Sequence, residues 1–202
     1  MTTTDGSDLL RFAVFCKKCS LYDENKCSRR VGQNAPKLGI SRQFERRKNN
    51  DSSTFRMPRQ YCRSTMTQFV FQHMVNDQGL KDKFHIDSAA TSREEIGNQP
   101  HYGTVNKLRQ EGIPVLKHRA IQMTKQDYKE YDYIIGMDAW NLRNMNRITG
   151  GDPDGKIHLL LDYSKHPRDI ADPWYTGNFD DTYRDVVEGC EAFMKYLGEE
   201  QL

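Results

Sequence analysis

An α/β fold with a parallel sheet is predicted for residues 65–202, and three observations predict it. Apolar stretches of strand length alternate with segments of helical periodicity as far as the C-terminus. One of those stretches, YDYIIGMD at 131–138, is apolar almost without a break, as a strand covered on both faces must be. The last segment carries Tyr183, Val186, Val187, Cys190, Met194 and Leu197 on one helical face, which suits a helix laid along such a sheet.

The elements follow in order. TMTQFVFQHMV (65–75) places Met66, Phe69, Val70 and Met74 at helical spacing. FHIDSAATS (84–92) reads as a short strand running into a Ser/Thr turn. HYGTVNKLRQEGI (101–113) is a helix closed by Gly112. The buried strand at 131–138 leads into the helix DAWNLRNMNRI, KIHLLLDY (156–163) is a further strand, and the amphipathic helix ends the chain. One strand is missing. A βαβ start needs a strand ahead of the first helix, yet DSSTFRMPRQY (51–61) is a poor strand, and Pro58 argues against a central one.

Composition narrows the class. The chain has 202 residues, 36% hydrophobic, with a mean hydropathy of −0.86, on the polar side for a domain with its own core. A long solvated part is therefore expected. No run of about 18 apolar residues exists, so no membrane span is expected. The start, MTTTDGSDLLRF, lacks a basic beginning followed by an apolar stretch, so no secretory signal is expected and the cytoplasm is the default location. The five cysteines, Cys16, Cys19, Cys27, Cys62 and Cys190, are too sparse and uneven for a disulfide framework. Cys16, Cys19 and Cys27 have no fourth ligand nearby to close a zinc site, so no metal and no cofactor is expected.

Charge breaks sharply along the chain. Residues 1–64 hold 14 Lys+Arg against 6 Asp+Glu, and residues 65–202 hold 16 against 22. A basic arm on an acidic domain could bind nucleic acid. A second reading is that the two parts do not belong together.

Cys62-Arg63-Ser64, running into a helix, looks like the second half of a phosphate-binding loop. More pieces follow in order: D-S-A-A-T-S at 87–92, E-I-G-N-x-P at 95–100, G-I-P at 112–114, H-R-A at 118–120, M-D-x-x-N-L at 137–142 and D-P-W-Y at 172–175. Together they make residues 62–198 resemble the low-molecular-weight protein tyrosine phosphatases of bacterial type. The resemblance implies a three-layer α/β/α domain on a four-stranded parallel sheet with the first strand central. Either Thr54–Met57 or the apolar run Leu9–Phe15 is expected to fill that slot, because an empty one would strand backbone groups on two neighbours.

The resemblance also implies chemistry. In this family a loop Cys-x5-Arg cradles a phosphate dianion, its thiolate attacks phosphorus, and a distant Asp protonates the leaving phenolate and later activates water. By position, Arg63 matches the phosphate-binding arginine and Asp172 the general acid/base. Trp174 and Tyr175 match the aromatic walls of the cleft, and Ser64, Ser88 and His118 the hydrogen-bond network behind the loop. Glu94 stands where an aromatic wall is common, and Ile121 replaces an arginine. The implied substrate is a phosphotyrosine protein or a small aryl phosphate, with neither nucleic acid nor membrane as partner, and a monomer is expected.

The nucleophile belongs six residues before Arg63, and that residue is Met57, whose thioether cannot form a thiolate. No cysteine in the chain has an arginine six residues on. Shifted by one nucleotide, Met57-Pro58 must encode Cys, MPRQY is compatible with C-H-G-N-I, and residues 50–56 with M-I-A-V-L-F-V. This reads as a frameshift. Residues 1–50 would then be a disordered or spurious extension, 51–61 an out-of-frame remnant of strand and loop, and 62–202 the phosphatase domain. The chain as written is then expected to be inactive. The rival readings are a diverged pseudophosphatase that binds phosphate, an arsenate reductase, which lacks the further cysteines needed to relay a disulfide, and a protein arginine phosphatase.

Overall fold

The structure, a computed structural model, describes residues 10–16, 62–93 and 96–200. Within them lie strands β1 (Leu10–Cys16), β2 (Phe84–Ala90), β3 (Tyr133–Gly136) and β4 (Ile157–Leu159). The helices are α1 (Cys62–Asp77), α2 (Tyr102–Gln110), α3 (Asp127–Glu130), α4 (Ala139–Thr149), α5 (Pro173–Thr176) and α6 (Phe179–Glu200). All strand pairs are parallel, in the order β2-β1-β3-β4.

The vacant first-strand slot is filled by Leu10–Cys16, one residue on from the apolar run Leu9–Phe15 that was one of the two candidates for it. Its backbone pairs with β2 from Leu10↔Phe84 to Cys16↔Ala90, and with β3 from Phe12↔Tyr133 to Phe15↔Gly136. Within the stretch read as an extension, these seven residues are therefore part of the sheet. The remainder of 1–50, and the remnant 51–61 with Met57, lie outside the described residues.

Side chains alternate across the sheet and build a core on each face. Ile86 and Ile135 join a cluster with Phe69, Phe71, Leu160, Leu161, Val186 and Phe193, under α1 and α6. Ile134 and Ala89, on the opposite face, join Met123, Tyr128, Met145 and Ile157, under α3 and α4. The expected three layers are present. The helix α1 is buried continuously from Cys62 to Phe71, so its polar residues must find partners inside the protein. Gln68 bonds the Ile86 carbonyl, Thr67 bonds the Arg63 carbonyl, and Thr104 bonds the Cys62 carbonyl.

Two expected boundaries move for physical reasons. The first helix begins at Cys62, not at 65. The expected strand 156–163 is a strand only over Ile157–Leu159, because the Asp162 carboxylate accepts the Leu159 N–H (2.9 Å) and turns Leu160–Tyr163 into a 3-10 turn. β2 ends at Ala90 and runs into the expected turn at Thr91 and Ser92, and Ala90 also pairs with the 121–123 segment. Gly112 does close α2, at φ +74°, and Gly150 closes α4 at φ +86°.

Candidate active site

In a parallel α/β sheet the carboxyl ends of the strands gather the loops that carry chemistry. Here those ends meet the N-terminus of α1, whose second residue is Arg63. Its side chain is 3% exposed, and such burial of a permanent charge requires opposite charge and full hydrogen bonding. Nη1 donates to the Ile170 carbonyl (2.6 Å), while Nη2 contacts Asp138 Oδ2 (2.7 Å) and Asp172 Oδ2 (3.5 Å). Ile170 is itself held at the end of β3, its N–H donating to the Met137 carbonyl (2.8 Å). The guanidinium is thus fixed between two carboxylates from different loops.

Both carboxylates are oriented by the helices they start. Asp138 caps α4, accepting from the Asn141 N–H (2.7 Å), and Asn141 Oδ1 accepts from the Met137 N–H (2.8 Å). Asp172 caps α5, accepting from the Trp174 N–H (3.0 Å), with Pro173 at the first helical position. Its Oδ2 remains turned to Arg63. Trp174 packs edge-on against His101 (5.8 Å), which stacks on Phe179 (5.4 Å, 4° between planes). Tyr175, beside it, is half exposed. Burial lowers the pKa of His101, against a smaller opposing pull from Asp172, so the ring is neutral near pH 7 and its Nδ1 accepts the Gly103 N–H.

Behind Arg63, Ser88 Oγ donates to Gln68 Oε1 (2.7 Å) and lies 3.1 Å from His118 Nε2. Ser88 and His118 are therefore brought together as expected. Ser64 is buried one residue after Arg63, and its Oγ makes no hydrogen bond to a described residue. Met57 and Glu94 lie outside the described residues, and Ile121 is exposed. Asp138 was missed as an Arg63 partner. The signal was present, since an Asp three residues ahead of Asn141, at the junction of a strand and a helix, is a helix cap placed at the catalytic edge. Among the described residues no three metal-ligating side chains gather, and no helix is long and apolar enough to cross a membrane.

The sequence profile described as low molecular weight phosphotyrosine protein phosphatase matches residues 57–202. The chain belongs to this family. Among phosphatases of the family, it is 37% identical over 142 residues to the low molecular weight protein-tyrosine-phosphatase YfkJ of Bacillus subtilis, covering 69% of this chain and 91% of YfkJ. It is 39% identical over 139 residues to the human low molecular weight phosphotyrosine protein phosphatase, covering 66% and 87%. The crystal structure of YfkJ superposes with a TM-score of 0.73 at 28% identity, covering 98% of this chain and all of that one. The match of the phosphatase profile begins at residue 57, so it does not include β1, whereas the structural superposition covers almost the whole chain.

Proposed function

We propose that this site binds the phosphate of a phosphotyrosine protein or small aryl phosphate at Arg63 and hydrolyses it, with Asp172 as general acid and then general base. The observation that carries the reading is the convergence of Arg63 and Asp172 at 3.5 Å from opposite ends of the domain sequence. Guanidinium is suited to two phosphate oxygens because it is planar and keeps its charge. The protonated Asp172 gives its proton to the aryl oxygen as the P–O bond breaks. The carboxylate then takes a proton from the water that displaces phosphate from the enzyme. Trp174 and Tyr175, on the helix that Asp172 caps, offer aromatic surface to a phenyl ring, which favours aryl over alkyl phosphates.

Covalent transfer also needs a thiolate. The residue six before Arg63 is Met57, so the contiguous loop provides none. A site with Arg63 alone would hold phosphate without turnover, which is the pseudophosphatase reading. Turnover of para-nitrophenyl phosphate between about pH 5 and 7 separates the two. In an active enzyme, Asp172→Asn should lower kcat by about 10²–10⁴-fold. The loss should shrink for a dinitrophenyl phosphate, whose leaving group needs no proton. An equal loss with both substrates would remove Asp172 from the acid role.

A further inference from the structure

One face of α2 borders a groove of about 680 Å³. Its other wall is residues 115–119, which follow α2 in the chain. The base is apolar. Val105 and Val115 are half-buried in it, Val115 packs against the main core, and Leu116 stands 51% exposed beside them.

The charge along this groove has one sign. Arg109, Lys117 and Arg119 line it and are exposed, and no aspartate or glutamate among the described residues does. Arg119 donates to the Gly97 carbonyl (2.9 Å), which fixes the guanidinium without neutralising it. Arg109 and Lys117 meet no carboxylate among the described residues. Glu111, two residues from Arg109, is taken up by Lys107, which also pairs with Asp180. Three cations around an apolar base are complementary to a chain that carries carboxylates.

The groove starts beside the candidate active site. Gln99 and Pro100 line its end, and the next residue, His101, packs edge-on against Trp174 (5.8 Å). Thr104, in the first turn of α2, donates to the carbonyl of Cys62, the neighbour of Arg63. The helix therefore leaves from the aromatic wall and carries the groove away from it for nine residues, about 13 Å. That length accommodates about four residues of extended peptide. A lipid surface would meet the exposed cations but not the recessed valines, so a peptide fits the shape better.

We propose that this groove receives an acidic stretch of the phosphotyrosine protein, about four residues long and lying to one side of the phosphotyrosine. This rests on the phosphatase reading. The peptide carboxylates pair with Arg109, Lys117 and Arg119, while the stems of the same side chains cover Leu116 and the valines. Exposed pairs contribute about 2- to 5-fold each in affinity, so the groove ranks phosphoproteins by their flanking sequence. A small aryl phosphate does not extend into it.

The test uses the full chain and peptides that carry a non-hydrolysable phosphonate in place of the phosphotyrosine phosphate, so that binding is read whether or not turnover occurs. One peptide has glutamates before the phosphonate residue, one has them after it, one has glutamines on both sides, and one has glutamates and a plain tyrosine. Kd is measured by fluorescence anisotropy for the wild type, for Arg109→Glu/Lys117→Glu, and for Lys125→Glu/Arg147→Glu, an equal charge change at exposed positions on the other face of the sheet. The expected result is that one of the two acidic phosphonate peptides binds about 10-fold more tightly than the neutral one at low salt, and that salt shrinks the gap. The groove variant should lose this gap while holding the neutral peptide as well as before, and the variant on the other face should keep it. An equal gain from glutamates on both sides, or an equal loss in the two variants, would mean bulk attraction and overturn the inference. No gain from either acidic flank, with the neutral phosphonate peptide still bound, would overturn it and leave the phosphatase reading standing. Glutamate peptides bound equally with and without the phosphonate, and no binding of the neutral one, would overturn the phosphatase reading and with it the groove's role in choosing phosphoproteins. Binding to phosphatidylserine vesicles that is lost in the groove variant, without any flank preference among the peptides, would make this a membrane surface instead. Should the charge-reversed groove variant fail to fold, Arg109→Gln/Lys117→Gln replaces it, with a smaller loss expected for the same peptide alone.

Discussion

Ser88 has one proton, and it goes to Gln68 Oε1, so the Ser88 oxygen is left as an acceptor for the N–H at His118 Nε2. His118 is therefore wanted neutral, with that proton on Nε2. Burial pushes its pKa down from the ordinary histidine value, against a weaker pull from Asp87. A histidine with lowered affinity for protons in the folded state gives stability that is complete above the unfolded value of about 6.5 and is lost as pH falls through the folded value. Thermal stability should accordingly drop between about pH 7 and pH 5. His118→Gln keeps an N–H for Ser88 but cannot titrate, so its melting temperature should vary less over this range. His118→Ala should cost about 1 kcal/mol at pH 7 by deleting the hydrogen bond. An unchanged pH profile in His118→Gln would place the titration elsewhere. These contacts were partly legible from sequence. Ser88 and His118 were expected to meet, whereas Gln68 had no motif to mark it, because only its burial on α1 turns an ordinary helical glutamine into the link between them.

The helix α4 carries Asp138 to Arg63, and its distance from the sheet is set by Gly136. A Cβ there would stand 2.8 Å from Met145 Cε and 3.0 Å from Asn141 Cβ. The first contact is with the end of a flexible chain, but the second is with the base of the residue that ties Met137 to the cap. Gly136→Val should push α4 outward and destabilise the domain by about 1–3 kcal/mol, as overpacking does. It should also weaken any phosphate affinity, since Asp138 and Ile170 both hang from the Met137 segment. A melting temperature within error of wild type would show that α4 is not so tightly seated. Elements of this kind were readable where their pattern was long. The apolar run around Ile134 and Ile135 and the face of α6 declared themselves. The turn at Leu160–Tyr163 did not, because LLL reads as strand until Asp162 folds back on Leu159.

Over the whole molecule the arrangement depends on seven residues near the N-terminus. β1 is paired along both edges, so removing it would leave backbone donors and acceptors of β2 and β3 without partners. Deletion of residues 1–16 should abolish cooperative thermal unfolding and near-ultraviolet circular dichroism. If the truncated chain still melts cooperatively, another segment, such as 54–57, can take the slot. The first strand was only half legible for a reason of the same scale. A fixed six-residue count back from Arg63 assumes a contiguous loop, and it lands on Met57. Leu9–Phe15 was recognised as apolar enough for the slot, but which of the two candidate segments takes it is decided by pairing within the sheet and leaves no trace in local spacing. The position of β1 also governs how the protein emerges during synthesis. Its strand leaves the ribosome first, yet its second partner, β3, follows only about 120 residues later, a wait of roughly 6–24 s at about 5–20 residues per second. Throughout that interval a nascent chain presents an apolar strand with one edge or both open, so production of this protein should be unusually sensitive to the supply of chaperones that shield such segments.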